Sequence, residues 1–235
     1  MINCSLIGFG EWGRKIYDSI QFHKGIKIKY ICRNNIQNIS RSESKINLVN
    51  SYKEAINDQV DTVFIATPSE THFEIAKYAL TNKKNVFVEK PICFYNNEFQ
   101  ILKNLAKNNS TILHVNYIHI YNENFSSMVE IYKKNKNNKE ISVKILLGNN
   151  GPIRKNTSVL MDWGPHIFSM INYILDNHNY ELIKSKNLFQ LSSLLFVIAT
   201  IIPLLPSGSF FIVFTAPMAR ACLFISLMHF MTTCL

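Results

Sequence analysis

The sequence predicts an α/β protein: a doubly wound parallel sheet, then a shorter α+β region, then an apolar helical tail. Three observations carry that expectation. Short apolar runs alternate with segments of helical periodicity through about residue 118. Gly8-x-Gly10-x-x-Gly13 follows the first apolar run and opens the first helical segment. Finally, every Asp and Glu lies within residues 1–186, whereas Arg220 is the one charge in 187–235. Strands alternating with helices indicate βαβ units whose parallel sheet is covered on both faces.

Taken in order, residues 2–7 form an apolar run ending in glycine, a strand and then a turn. Residues 11–23 place Trp12, Ile16 and Ile20 at helical spacing. Residues 26–32 are a second strand. Residues 51–58 are a short helix with Ser51 as N-cap, and 69–82 a helix capped by Ser69. Between these, 61–66 is a strand. Residues 85–88 and 111–115 are strands flanking a helix over 95–107. The pattern then changes. Residues 124–134 are helical, 140–147 a half-alternating strand, and 160–175 a helix with Pro165 in its early turns. Residues 188–206 and 208–235 are apolar runs, each long enough to cross a bilayer. Pro203, Pro206 and Gly208 would separate two helices, and Lys184 and Lys186 would keep the preceding part on the cytoplasmic side. A buried core segment is the alternative, though a core helix of a soluble domain normally shows a polar face. The expected organisation is therefore 1–118, 119–186 and 187–235.

Composition narrows the function classes. The net charge of +9 would suit a nucleic-acid partner. However, the lysines are scattered among asparagines and isoleucines, as in Lys133-Lys134-Asn135-Lys136, which reads as solvated surface. Five cysteines with no ligand spacing exclude a disulfide scaffold and point to no metal site. A first strand at the very start leaves no room for a secretory leader, which fits a cytoplasmic location.

The chemistry-bearing residues cluster at expected strand ends. In the glycine turn, Gly8 permits the tight turn, Gly10 lets a pyrophosphate approach, and Gly13 lets helix and strand pack, with Glu11 and Trp12 opening the helix. This predicts a bound dinucleotide, NAD(P). An acid near the end of the second strand would hold a ribose 2′-OH, but Arg33 stands there, which leans to NADP over NAD; a merely solvated Arg33 is the alternative. Ala66, Thr67 and Pro68 end the next strand beneath the cofactor. His72 follows, either as a cofactor contact or as a capping or core-edge histidine. Val86-Phe87-Val88 delivers Glu89-Lys90-Pro91, where ligands of an open parallel sheet bind, and a cis Lys90–Pro91 peptide would aim the lysine. Asp162 and His166 stand at i, i+4, facing one way if helical; such a pair is either an acid/base unit or a surface pair.

Together, Gly8–Gly13 with Arg14, Ala66-Thr67-Pro68…His72, Glu89-Lys90-Pro91 and Asp162-x-Gly164-x-His166 resemble the Gfo/Idh/MocA family of sugar-type oxidoreductases, over residues 1 to about 186. The resemblance implies a Rossmann domain, a second domain on a large, mainly antiparallel sheet, and hydride transfer between NAD(P) and a sugar, nucleotide-sugar or cyclitol carbon. It also implies that Lys90 polarises the reacting hydroxyl and touches the nicotinamide ribose, that His166 is the acid/base, and that Asp162 orients them. Two departures stand out: Ser169 replaces an acid frequent in the family, and the second domain gives way to the apolar tail near Asn187. Residues 205–211 are similar to membrane segments of O-antigen polymerases. The alternative to an active enzyme is thus a truncated or fused remnant, inactive but nucleotide-binding and membrane-attached. Expected partners are a sugar-like small molecule, a membrane reached through 188–235, and a second copy of the chain.

Overall fold

The computed structural model describes residues 1–33, 46–135, 143–147, 159–174, 180–191, 194–203 and 210–213. Two units emerge, Met1–Asn116 and Tyr117–Leu235.

In the first unit, β1 (Ile2–Ile7), β2 (Ile26–Cys32), β3 (Asn47–Val49), β4 (Thr62–Ile65), β5 (Asn85–Val88) and β6 (Leu113–Val115) form one sheet in the order β3-β2-β1-β4-β5-β6. All five pairings are parallel. The strand order therefore reverses between β1 and β4, the kind of switch point where open α/β sheets bind ligands. Alternation of side chains sends Cys4 and Leu6 to one face, where they pack with Ile28, Ile31 and with Tyr17 and Ile20 of α1 (Glu11–Gln21). Ile7, Val63, Ile65, Val86 and Val88 go to the other face. There they meet Ala55 of α2 (Tyr52–Ala55), Ile75, Ala76, Ala79 and Leu80 of α3 (His72–Thr81), and Leu102 and Ala106 of α4 (Asn96–Asn108). Burying each such Val, Leu or Ile contributes about 1.5–3 kcal/mol.

Side chains close the amino edge of the sheet. Asp61 Oδ2 accepts from the Asn3 N–H at 2.8 Å, and Asn85 Oδ1 accepts from the Ile112 N–H at 2.9 Å. Ser51 caps α2 as expected, accepting from the Lys53 N–H. Ser69 is no cap: it starts a 3-10 turn, Ser69–Thr71, and α3 begins at His72. Pro68 precedes that turn, and the Thr71 hydroxyl lies 2.7 Å from the Thr67 hydroxyl and from the Pro68 carbonyl.

In the second unit, a 3-10 turn (Ile118–Tyr121) precedes α5 (Glu123–Asn135), β7 (Val143–Leu147) and α6 (Val159–Ile174). Phe125, Met128 and Val129 of α5 are buried, as are Ile167, Met170, Ile171 and Ile174 of α6, at helical spacing. The chain continues as β8 (Tyr180–Leu191), β9 (Leu194–Pro203) and β10 (Phe210–Val213). The four strands form a sheet in the order β10-β7-β9-β8. β9 runs antiparallel to β7 and β8, and β10 parallel to β7.

These strands correct the expected helical tail. β8 passes through residue 187, where that tail was to begin, and β9 occupies the middle of the first supposed membrane helix. A continuous apolar run rich in Ile and Val reads equally as a buried strand, because periodicity alone does not separate the two; pairing with β7 and β8 decides. Among the described residues, no helix is long and apolar enough to cross a membrane. Most of the second supposed membrane helix, residues 214–235, lies outside the described residues.

Candidate functional site

The carboxyl edge of the first sheet carries the residues that the sequence singles out. Strand register aligns Ile7, Ile65 and Val88, with Val88 beside Val115. One rung beyond each strand, the N–H of Ala66 donates to the Ile7 carbonyl at 2.8 Å, that of Glu89 to Ile65 at 2.9 Å, and that of Asn116 to Val88 at 2.8 Å. Ala66, Glu89 and Asn116 thus stand in one row with Gly8 at its start, because four parallel strands end at the same level.

The three glycines divide the work at that edge. Gly8 has φ +93°, which L side chains rarely adopt, and a Cβ there would lie 2.5 Å from the Ala66 carbonyl oxygen. A Cβ on Gly13 would run into the carbonyl oxygen of Gly8. Gly10 is different: it is extended, with φ −80° and ψ −158°, and a Cβ there would meet nothing within 4 Å. Neither the backbone conformation nor the protein's own packing asks for glycine at this position. Open space beside a bare backbone at the start of α1, with no side chain to cap the helix, fits a pyrophosphate on the first-turn N–H groups. The residues present therefore fit a dinucleotide.

A cavity of about 950 Å³ lies over this turn, within the size range of cofactor pockets. Gly8, Gly10, Glu11 and Trp12 line it from the glycine turn, Arg33 from the end of β2, and Ala66, Thr67 and Pro68 from the end of β4. The Arg33 guanidinium stands 5.9 Å over the Phe9 ring, which also carries Arg14 at 4.9 Å. Glu11 would bring negative charge near a phosphate, but Lys15 Nζ holds its carboxylate at 2.8 Å and keeps it below the usual carboxylate range, chiefly through that hydrogen bond.

Four predicted cofactor residues stand outside the cavity lining: Gly13, His72, Glu89 and Lys90. Gly13 is buried against Gly8. His72 is 1% exposed, with Nε2 2.8 Å from the Thr67 carbonyl and Nδ1 2.7 Å from the Pro91 carbonyl. The core-edge alternative thus describes this ring better than direct contact. Glu89 is buried, and its Oε1 accepts from Asn116 Nδ2 at 2.7 Å. Lys90 is half-buried, and its peptide to Pro91 is cis. Asn116 escaped the sequence reading; a polar residue one past a strand end, level with Gly8, Ala66 and Glu89, is the signal. Asn50, Ser51, Tyr52, Thr71 and Glu74 also line the cavity, and only the β3 pairing and the α3 start bring them there.

In the second unit, α6 carries both Asp162 and His166 one turn apart, the helical geometry that their spacing predicts. His166 is buried, with the His119 ring edge-on at 4.6 Å and Trp163 at 6.1 Å. Ser169 Oγ donates to the His166 carbonyl at 2.8 Å, so the residue that replaces the family acid braces the backbone of α6. Among the described residues, no group of His, Cys, Asp and Glu could hold a metal ion.

Comparison with known proteins agrees with this geometry. The chain is 24% identical over 186 residues to the uncharacterized oxidoreductase YrbE of Bacillus subtilis, covering 75% of this chain and 54% of that protein. It is 36% identical over 93 residues to 2,7-anhydro-N-acetylneuraminate hydratase of Escherichia coli, covering 39% of this chain and 25% of that protein. The chain thus spans about half the length of YrbE and less of the hydratase. GenD2 from gentamicin A biosynthesis, solved in complex with NAD, superposes with a TM-score of 0.73 at 16% identity over 82% of this chain and 58% of that one, a likeness of fold. The model of the oxidoreductase family with an NAD-binding Rossmann fold matches residues 2–117. Residues 2–117 therefore belong to the Gfo/Idh/MocA oxidoreductase family, as its NAD-binding Rossmann domain.

Proposed function

We propose that this protein transfers a hydride between NAD(P) and a hydroxyl-bearing carbon of a sugar, nucleotide sugar or cyclitol. The carrying observation is Gly10, kept as glycine where the protein itself leaves room for a side chain. The bound dinucleotide supplies the hydride acceptor. The N-terminus of α1 would hold its pyrophosphate, and Arg33 its adenosine ribose. An arginine at that point favours a 2′-phosphate, and hence NADP, because it offers charge-assisted hydrogen bonds where NAD-binding proteins of this fold usually place an acid. The hydratase, whose name connects it with a sugar derivative, supports a carbohydrate-like substrate.

Chemistry then requires a proton to leave the hydroxyl as its carbon loses hydride. Lys90 is assigned to polarise that hydroxyl, His166 to take the proton, and Asp162 to orient them, with imidazole suited to the transfer near neutral pH. The test is direct. Titration of the full chain with NADH and NADPH reads binding, and incubation with a panel of sugars, nucleotide sugars and cyclitols reads nicotinamide absorbance. Binding with turnover on a polyol substrate is the expected result; a chain that binds neither nucleotide overturns the reading.

A further inference from the structure

We infer that His72 is a positioning residue, whose ring, by bridging the carbonyls of Thr67 and Pro91, sets the distance between the cofactor-facing turn after β4 and the Glu89-Lys90-Pro91 segment after β5. This rests on the proposed dinucleotide site and adds a residue that acts on it from behind.

The sheet does not do this work by itself. β4 and β5 pair up to Ile65 beside Val88, and the last backbone rung is the Glu89 N–H to the Ile65 carbonyl at 2.9 Å. Two residues further along on each side, at Thr67 and Pro91, the link passes through the His72 ring at 2.8 and 2.7 Å. Both partners are carbonyls, which only accept, so a neutral ring donates to one of them and packs against the other, and either tautomer keeps the ring between the same two oxygens. The ring itself is 1% exposed, and a buried hydrogen bond of this kind fixes geometry.

The Thr67 side of the bridge is itself rigid. The Thr71 hydroxyl lies 2.7 Å from both the Thr67 hydroxyl and the Pro68 carbonyl, and Thr67 and Pro68 line the cavity. On the other side, Asn116 Nδ2 holds the Glu89 carboxylate at 2.7 Å, so the lysine between Glu89 and Pro91 is anchored at both neighbours. His72 couples these two fixed pieces. The glycine turn, which would hold the pyrophosphate, packs through Gly8 on the Ala66 carbonyl and the Thr67 nitrogen. Of the two residues joined, Thr67 lines that cavity and Pro91 does not, so loss of the bridge should tell chiefly on the Lys90 side, where the family resemblance puts the nicotinamide ribose.

That asymmetry supplies the test. Dissociation constants are measured for the unsubstituted chain, for His72→Leu and for His72→Gln, with the tighter of NADH and NADPH and with the matching ADP or 2′-phospho-ADP, which lacks both nicotinamide and its ribose. Circular dichroism and thermal melting report folding. His72→Leu is expected to weaken the complete cofactor roughly tenfold, the scale of one lost hydrogen bond, while ADP affinity stays within about twofold, inside the scatter of such measurements. His72→Gln keeps one donor and should recover part of the loss; it carries the test if the leucine variant does not fold. Equal losses for both ligands, or no loss for either, would overturn the positioning role while leaving the cofactor site standing. An unsubstituted chain that binds neither ligand would overturn the site and the bridge together.

Discussion

Gly13 packs so closely on Gly8 that a methyl group on Gly13 would run into the Gly8 carbonyl oxygen. Gly10, between them, faces open space. The same tripartite turn therefore contains glycines kept for two separable reasons, and substitutions can tell them apart.

Gly13→Ala should cost stability, about 1–3 kcal/mol for an overpacked contact, because the obstacle is backbone and cannot swing away. Gly10→Val should leave the melting temperature nearly unchanged yet weaken NAD(P)H at least tenfold, since the side chain enters the space that a pyrophosphate needs. Thermal melts paired with calorimetry check both, and a Gly10 variant that binds as tightly as the unsubstituted protein would refute the pyrophosphate site.

Arg33→Asp should reverse the nucleotide preference. Loss of a charge-assisted hydrogen bond to a 2′-phosphate is worth about 1.5–3 kcal/mol, roughly ten- to a hundredfold in affinity, and the new carboxylate suits a 2′-hydroxyl. The ratio of NADPH to NADH dissociation constants is the readout. An unchanged ratio means that Arg33 does not read a 2′-phosphate.

Lys90→Met and His166→Ala should each lower turnover by roughly two to four orders of magnitude, the usual worth of a positioned acid/base group. His166→Ala should lower turnover far more than it weakens NADPH binding, since its proposed role is to take a proton. Steady-state rates beside binding titrations separate the two effects.

Burial pushes the Cys4 thiol up to about 12, with the nearby Asp61 charge adding to it, and Cys32 up to about 11, with Glu54 adding. The folded protein thus keeps both protonated where the unfolded chain, near 9.0, releases its protons. Their contribution is complete below pH 9 and is lost as pH rises toward 11–12. Denaturant midpoints should fall over that interval, and more gently in Cys4→Ala. At neutral pH, mass mapping after alkylation of the native chain should find neither cysteine labelled.

A chain ending at residue 186 should be less stable than the full one. It would cut β8 in half and remove β9, leaving β7 without its neighbours and its N–H and C=O groups exposed as an edge. Size-exclusion chromatography should show more aggregate in the shortened chain. The opposite result would revive the tail as a separate apolar attachment.

Sequence alone determined most of the first unit and which residues stand at the carboxyl ends of its strands. Strand–helix alternation, the glycine spacing and the polar residues just past the strand ends are local properties, and parallel βαβ geometry brings such ends to one side whatever the details. Even the separate reasons for Gly8, Gly10 and Gly13 followed from the turn's known physics. What only tertiary structure decided was partnership. β3 is three residues long and acquires its identity from pairing with β2, so Asn50, Ser51 and Tyr52 could not be placed over the cavity beforehand. The role of His72 depended on which two carbonyls its ring would meet, nineteen residues apart in one case. Residues 194–203 offered an unbroken apolar run that local periodicity cannot assign. Hydrogen bonding to β7 and β8 made it a strand, because backbone groups in an apolar run must find partners somewhere and the neighbouring strands supply them.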